Sequence, residues 1–138
     1  IADATFTISG KPVTLVGGSA DTVALFGEPL SADIDSDGDE DLASYLTVDS
    51  GGSGTFFYVV VALKERGGYR GTNAMFLGDR IAPQNINFKD GRAVANFAER
   101  KPGEPFTARA SVGKSVWLHI GPDGALGEFV KDFEGESR

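Results

Sequence analysis

Short apolar runs, separated by glycine, proline and polar residues, make up most of the chain. Many of them alternate between apolar and polar positions, as strands with one buried face do, and few repeat at the 3.6-residue spacing of a helix. The 19 glycines and six prolines supply turns between the runs. This pattern predicts an all-β protein, with strands at residues 5–8, 13–16, 22–26, 42–48, 55–63, 72–77, 85–89, 92–98 and 115–120.

The longest apolar run extends from Phe56 to Leu63. Both of its alternating faces are apolar, so we expect a central strand that is covered on each side. The run at residues 42–48 precedes it across a glycine-rich tip, which predicts a hairpin. The chain shows one hydrophobic core around this hairpin and no internal repeat or linker. It is therefore predicted to form a single domain over residues 1–138, built as an antiparallel sandwich or a partly closed barrel.

Two further elements follow from local patterns. Asp90-Gly91 suits a two-residue type I′ turn, which would place Phe88 opposite Ala93 and Ile86 opposite Ala95. Near the end of the chain, apolar residues at i, i+3, i+4 and i+7 are compatible with a short C-terminal helix that lies on the sheet. These residues are Leu126, Phe129, Val130 and Phe133.

Charge and composition exclude several classes of function. The chain has 20 acidic and 13 basic residues, a formal net charge of -7, which disfavours nucleic acids and anionic membranes because both attract basic surfaces. The longest apolar run is far shorter than the roughly 18 residues of a membrane helix, so no membrane span is expected. Because the chain has no cysteine and one histidine, oxygen atoms are the remaining ligands for a metal ion.

The densest chemistry lies between Asp33 and Asp41, where six of nine residues are acidic. Aspartates occupy the first, third, fifth and ninth positions and Gly38 the sixth, which is the spacing of a calcium loop. Alternate carboxylates can turn toward a hard cation, and the glycine permits the sharp bend between them. We therefore expect Ca²⁺ to be bound by the side chains of Asp33, Asp35, Asp37 and Asp41 and by the backbone carbonyl of Asp39.

Position 12 of this loop departs from the helix-loop-helix calcium site. Ser44 stands where that site has a bidentate glutamate, so we expect an affinity of only ~10⁻⁴–10⁻³ M, typical of extracellular modules with a structural ion. The alternative is a solvated acidic turn that binds no specific ion. The regular spacing favours the calcium site, and a divalent ion would relieve repulsion of about 1 kcal/mol per close carboxylate pair.

The segment Asp33-Ile34-Asp35-Ser36-Asp37-Gly38-Asp39-Glu40-Asp41-Leu42 resembles the calcium loops of FG-GAP and related extracellular β repeats. A longer similarity is to uncharacterised bacterial exported or lipoprotein modules, in which an Asp-rich loop precedes a Gly-Gly-Ser-Gly-Thr hairpin. It runs through residues 51–56, 71–74, 77–84, 100–105 and 111–113. The resemblance implies an extracytoplasmic location, whether periplasmic, secreted or lipid-anchored at the cell envelope, and it implies no catalytic activity.

The remaining polar residues give weaker signals. His119 is the single histidine, and no nucleophile elbow accompanies it, so we assign no catalytic residue. The arginines are more typical of solvated loop charge than of a patch for an anionic glycan or a protein partner. Those considered for such a patch are Arg66, Arg70, Arg80, Arg92, Arg100 and Arg109, with Tyr69 nearby.

These observations favour a non-enzymatic, extracytoplasmic calcium-binding module with a structural or interaction role, whose partner beyond the ion would be a protein or a glycan. A second hypothesis is a carbohydrate-binding module that stacks sugars on Trp117, Tyr69 or Tyr45. A third is a small hydrolase, which would need a concave site with a perturbed acid–base pair.

Overall fold

The computed structural model describes residues 1–49, 51, 54–105 and 108–129, and the described residues form strands and turns without a helix. The fold is all-β, as the sequence predicts. The strands are β1 (Thr5–Ile8), β2 (Lys11–Thr14), β3 (Ser19–Ala20), β4 (Val23–Ala32), β5 (Asp41–Asp49), β6 (Thr55–Glu65), β7 (Gly68–Gly71), β8 (Met75–Asp79), β9 (Ala82–Lys89), β10 (Arg92–Glu99), β11 (Val112–Ile120) and β12 (Leu126–Glu128).

These strands form three antiparallel sheets. The largest is curled and has the order β3-β4-β5-β6-β7, with β8 paired to β6 beyond the end of β7. A four-stranded sheet has the order β12-β11-β10-β9, and β1 and β2 form a separate hairpin. The sandwich or partly closed barrel that the sequence predicts is therefore a curled sheet with a second sheet and a hairpin packed on it.

Strand β6 lies at the centre of the molecule, and both of its faces are buried. Val59 and Val61 pack in a cluster with Ala95 of the four-stranded sheet. Val60 packs on the opposite face, in a cluster with Phe6 of the β1–β2 hairpin. Complete burial of a valine side chain contributes roughly 1.5–3 kcal/mol, so this strand joins the two halves of the core, as its doubly apolar pattern predicts.

The β9–β10 hairpin has the predicted register. Phe88 pairs with Ala93 and Ile86 with Ala95. Asp90 and Gly91 both have positive φ, 51° and 77°, as a type I′ turn requires. A bulge between Ala95 and Phe97 then shifts the ladder, and Phe97 packs in a third cluster rather than in the one that holds Ala95.

The predicted C-terminal helix is wrong where the structure describes it. Leu126–Glu128 is strand β12, in which Leu126 pairs with Ile120 and is buried. Pairing with the edge of β11 satisfies backbone groups that a short isolated helix would leave to solvent, so tertiary contact overrides the local spacing. Val130 and Phe133 lie outside the described residues.

Three short strands were not predicted, because β3, β7 and β12 have two to four residues and little periodicity. The predicted strand at 72–77 begins only at Met75. Thr72 interrupts the ladder because its hydroxyl oxygen, instead of a backbone carbonyl, accepts from the Val61 amide at 3.1 Å. No stretch of helix long and apolar enough to cross a bilayer occurs in the described part of the chain.

At Gly71 the β1–β2 hairpin lies directly against the large sheet. A Cβ added there would overlap the carbonyl oxygen of Thr5 and lie 2.8 Å from Cδ1 of Phe6. We expect Gly71→Ala to push β1 away and to lower the free energy of unfolding by about 1–3 kcal/mol, measured by urea denaturation. Gly113→Ala is the matched control, because nothing lies within 4 Å of the added Cβ; equal losses in the two variants would contradict this packing.

Candidate metal centre

The acidic loop closes the hairpin formed by β4 and β5. Ala32 and Asp41 are the last residue pair of that ladder, so residues 33–40 form the connection. Ile34 is 7% exposed and packs in the core cluster between the two large sheets, whereas Leu42 packs on the opposite face of the large sheet. Both residues fix the loop to the core, as the sequence predicts.

Asp41 is completely buried, and its carboxylate ties the loop to the central strand. Its Oδ2 accepts from the backbone amides of Ile34 at 2.9 Å and Asp35 at 3.3 Å. Its Oδ1 accepts from the amide of Lys64 in β6 at 2.8 Å. Three amide donors compensate for the loss of hydration of this buried carboxylate.

Two further aspartates fold the loop on itself. Asp33 accepts from the amides of Asp37 at 3.0 Å and Gly38 at 2.9 Å, and Asp37 accepts from the amide of Asp39 at 2.9 Å. The bend passes through positive φ at Ser36, 63°, and at Gly38, 94°. The predicted bend at the glycine is present, and a second left-handed residue precedes it.

Four of the predicted ligands converge. One carboxylate oxygen from each of Asp33, Asp35, Asp37 and Asp41 can be chosen so that all four lie within 4.8 Å of one another. Calcium binds oxygens at about 2.3–2.6 Å, so oxygens on opposite sides of the ion lie roughly 4.6–5.2 Å apart. The spacing of the four oxygens is compatible with a calcium-sized ion.

Asp35 differs from the other three in what surrounds it. Its Oδ1 is buried and accepts no hydrogen bond within the described part of the chain. Burial, followed by the neighbouring carboxyls of Asp37 and Asp41, raises the pKa of Asp35 to about 6. The Asp39 backbone amide instead lowers the pKa of Asp37. Of the four carboxylates, Asp35 therefore has the fewest interactions that stabilise its negative charge. A bound cation would supply the missing stabilisation.

Asp39 and Glu40 are exposed, and neither carboxylate belongs to the converging group. Glu40 instead accepts from the hydroxyl of Ser31 at 2.9 Å. The role of the Asp39 backbone carbonyl as a ligand stays a prediction. The spacing alone did not distinguish Asp41, which has three amide donors, from Asp35, whose Oδ1 has none.

The three aromatic residues considered for sugar stacking lie in different places. Tyr45 is 3% exposed in β5, and its hydroxyl donates to the carbonyl of Asn96 at 2.5 Å. Burial also raises the pKa of Tyr45 to about 12. Tyr69 is exposed in β7 of the large sheet with Lys64 over its ring, and Trp117 is half-buried in β11 of the four-stranded sheet. Tyr45 is therefore unable to offer a stacking surface.

Comparison of the chain with protein-family models, curated proteins and solved structures finds no match. The resemblance of the acidic loop to FG-GAP calcium loops stays a prediction, and the account of the site rests on its geometry.

Replacing the buried Asp41 tests the attachment of the loop. Asp41→Asn would turn an NH₂ group toward amides that need an acceptor, so we expect a loss of about 2–4 kcal/mol in the free energy of unfolding, measured by urea denaturation with chelator present. Asp39→Asn removes the same charge from an exposed position of the loop and should change stability by no more than about 0.5 kcal/mol. A loss in Asp41→Asn no larger than that of the control would contradict the role of Asp41.

The raised pKa of Asp35 predicts a pH dependence for the metal-free protein. The folded state binds a proton at Asp35 up to a pH of about 6, whereas the unfolded state releases it near the ordinary value, so this group makes the protein less stable as pH rises through that window. In NMR spectra of the chelator-treated protein, the Asp35 carboxyl carbon should titrate with a midpoint of about 6. Calcium should move that midpoint downward, and a midpoint near 4 without calcium would contradict the account.

Proposed function

We propose that the protein is a non-enzymatic, extracytoplasmic calcium-binding module in which the ion stabilises the loop between β4 and β5. The observation that carries the proposal is the convergence of four aspartates around the buried, hydrogen-bond-deficient oxygen of Asp35. An empty acidic turn would expose its carboxylates to water, whereas this loop directs several of them inward.

The chemistry of the ligands favours calcium over other ions. All four converging groups are carboxylates, which suit hard cations, whereas zinc and copper sites generally include histidine or cysteine. Magnesium requires near-ideal octahedral geometry at about 2.0–2.1 Å and retains several waters, whereas calcium takes about six to eight oxygen ligands in flexible geometry, so a cluster of four carboxylates suits calcium better.

The missing twelfth ligand supports a weak, structural site. Ser44 is buried in β5, and its hydroxyl donates to the carbonyl of Tyr45 at 3.0 Å, so its side chain is occupied within the sheet. The expected affinity of ~10⁻⁴–10⁻³ M suits extracellular calcium and is far weaker than that of cytosolic sensors. This argument supports an extracytoplasmic location.

The proposed role of the loop carboxylates also supports a non-enzymatic function. In a hydrolase of the kind considered above, an acid–base pair would have to remain free to transfer protons. Here the carboxylate of Asp41 accepts three amides and that of Asp33 accepts two. Asp35, the carboxyl with the raised pKa, lies among the proposed metal ligands.

Calcium should raise the melting temperature of the protein. At a calcium concentration ten times the dissociation constant, preferential binding to the folded state contributes about 1.4 kcal/mol, or about 3–6 °C for a domain of this size. Differential scanning calorimetry with millimolar Ca²⁺ and with chelator measures the difference, and Mg²⁺ should produce a smaller one.

Two variants make this measurement specific. Asp35→Asn should abolish most of the calcium-dependent shift, because it removes the least compensated ligand charge. Asp21→Asn removes one negative charge outside the loop, at a residue with φ of 54° that asparagine tolerates, and should retain the full shift. The proposal fails if calcium and chelator give the same melting temperature, or if Asp35→Asn retains the shift of the Asp21→Asn control.

A further inference from the structure

A recess beside the acidic loop contains a positioned arginine. Its volume is about 390 Å³, within the usual range of small-molecule sites. Its polar lining includes Asp35, Ser36, Arg92 and His119, and Ile34 and Ile120 contribute apolar surface. The recess therefore combines charged, polar and apolar groups next to the proposed metal centre.

Arg92 is held in place by two rings. Its guanidinium carbon lies 3.6 Å from the centroid of the Phe129 ring, and its Nη1 lies 3.4 Å from Nδ1 of His119. Because arginine can only donate, this contact is a hydrogen bond in the His119 tautomer that carries its proton on Nε2. The two side chains thus present N–H donors from neighbouring strands.

Arg92 has no salt-bridge partner within the described ranges of the chain. A second recess of about 410 Å³, which Asp35 also lines, provides a comparison. Its arginine, Arg70, donates from Nε to Glu65 Oε2 at 2.7 Å. Arg70 is therefore paired with a carboxylate in the second recess, whereas Arg92 forms no salt bridge with the described residues in the first, although Asp35 and Asp90 also line that recess.

The surroundings of Arg92 define the kind of anion that fits. A guanidinium can donate two parallel hydrogen bonds to a carboxylate. Asp35 and Asp90 also line the recess, so they repel a dianion such as phosphate more strongly than a monoanion. Ile34 and Ile120 can contact the carbon skeleton of an organic ligand.

We propose that this recess binds the carboxylate of a small organic acid or acidic sugar, with Arg92 as the anion-binding residue and His119 as a second donor. Calcium in the adjacent loop strengthens this binding because it neutralises Asp35 and adds positive charge beside the recess. This effect of calcium rests on the proposed function. The module would then hold an acidic ligand next to its structural ion.

NMR titration of the ¹⁵N-labelled full chain tests the proposal, with millimolar calcium and with chelator. Acetate and glucuronate should both shift the Arg92 Nε–H and the Gly91 amide resonances, whereas glucose, which lacks the carboxylate, should not. Calcium should tighten carboxylate binding about tenfold, which corresponds to roughly 1.4 kcal/mol. Tighter binding of glucuronate than of acetate would identify the acidic sugar as the source, and equal binding would identify a simple carboxylate.

Two variants separate the arginines. Arg92→Gln should weaken carboxylate binding at least about tenfold, the scale expected for loss of a charged hydrogen-bond partner. Arg70→Gln, which removes the same charge from the second recess, should bind like the wild type. Arg92→Lys keeps the charge and the aliphatic stem but loses the planar fork, so it should fold and bind with intermediate affinity. It replaces Arg92→Gln in the test if that variant is unstable.

The proposal is overturned if neither carboxylate shifts the Arg92 resonances, if glucose shifts them equally, or if phosphate binds more tightly than acetate. It is also overturned if the Arg92→Gln and Arg70→Gln variants bind the carboxylates with equal affinity. Its failure is distinct from failure of the metal site. Calcium-dependent stabilisation without carboxylate binding contradicts only this inference, whereas carboxylate binding at Arg92 in a protein that calcium does not stabilise contradicts the metal proposal and leaves the role of Arg92 intact.

Discussion

The buried carboxylate of Asp41 is the group on which the acidic loop and its attachment to the central sheet both depend. It accepts amides from the start of the loop and from Lys64 of β6, so it links the hairpin connection to the strand that joins the two halves of the core. A charge without hydration is stable only with such donors around it. Asp33 and Asp37 then fold the rest of the loop through amide contacts of their own, and the carboxylate oxygens converge.

Nearly all of the excess negative charge of the chain lies in the acidic loop. Six of the 20 acidic residues lie between Asp33 and Asp41, and outside this segment 14 acidic residues are nearly balanced by 13 basic ones. The net charge of -7 therefore comes almost entirely from the loop. Asp33, Asp37 and Asp41 are compensated by backbone amides, whereas the buried Oδ1 of Asp35 has no hydrogen-bond partner among the described residues.

The sequence was informative where one physical effect dominates. Two apolar faces on one run identified the buried β6, and the positive φ that Asp90-Gly91 favours fixed the register of the β9–β10 hairpin. Prediction failed where a distant partner decides, as at Leu126, where pairing with β11 replaces the helix. The spacing of the aspartates identified the carboxylates that converge, but the Lys64 amide on Asp41 and the position of Arg92 in the recess beside the loop depend on contacts between strands that no local pattern encodes.

The central claim is that calcium occupies the space between the four aspartates, and a crystal structure of the protein grown with millimolar calcium tests it most directly. The account predicts an ion about 2.3–2.6 Å from an oxygen of Asp35 and from oxygens of neighbouring loop aspartates, with the amide contacts of Asp41 unchanged. Water or empty density at that position, with the Asp35 carboxyl turned toward solvent, would contradict it.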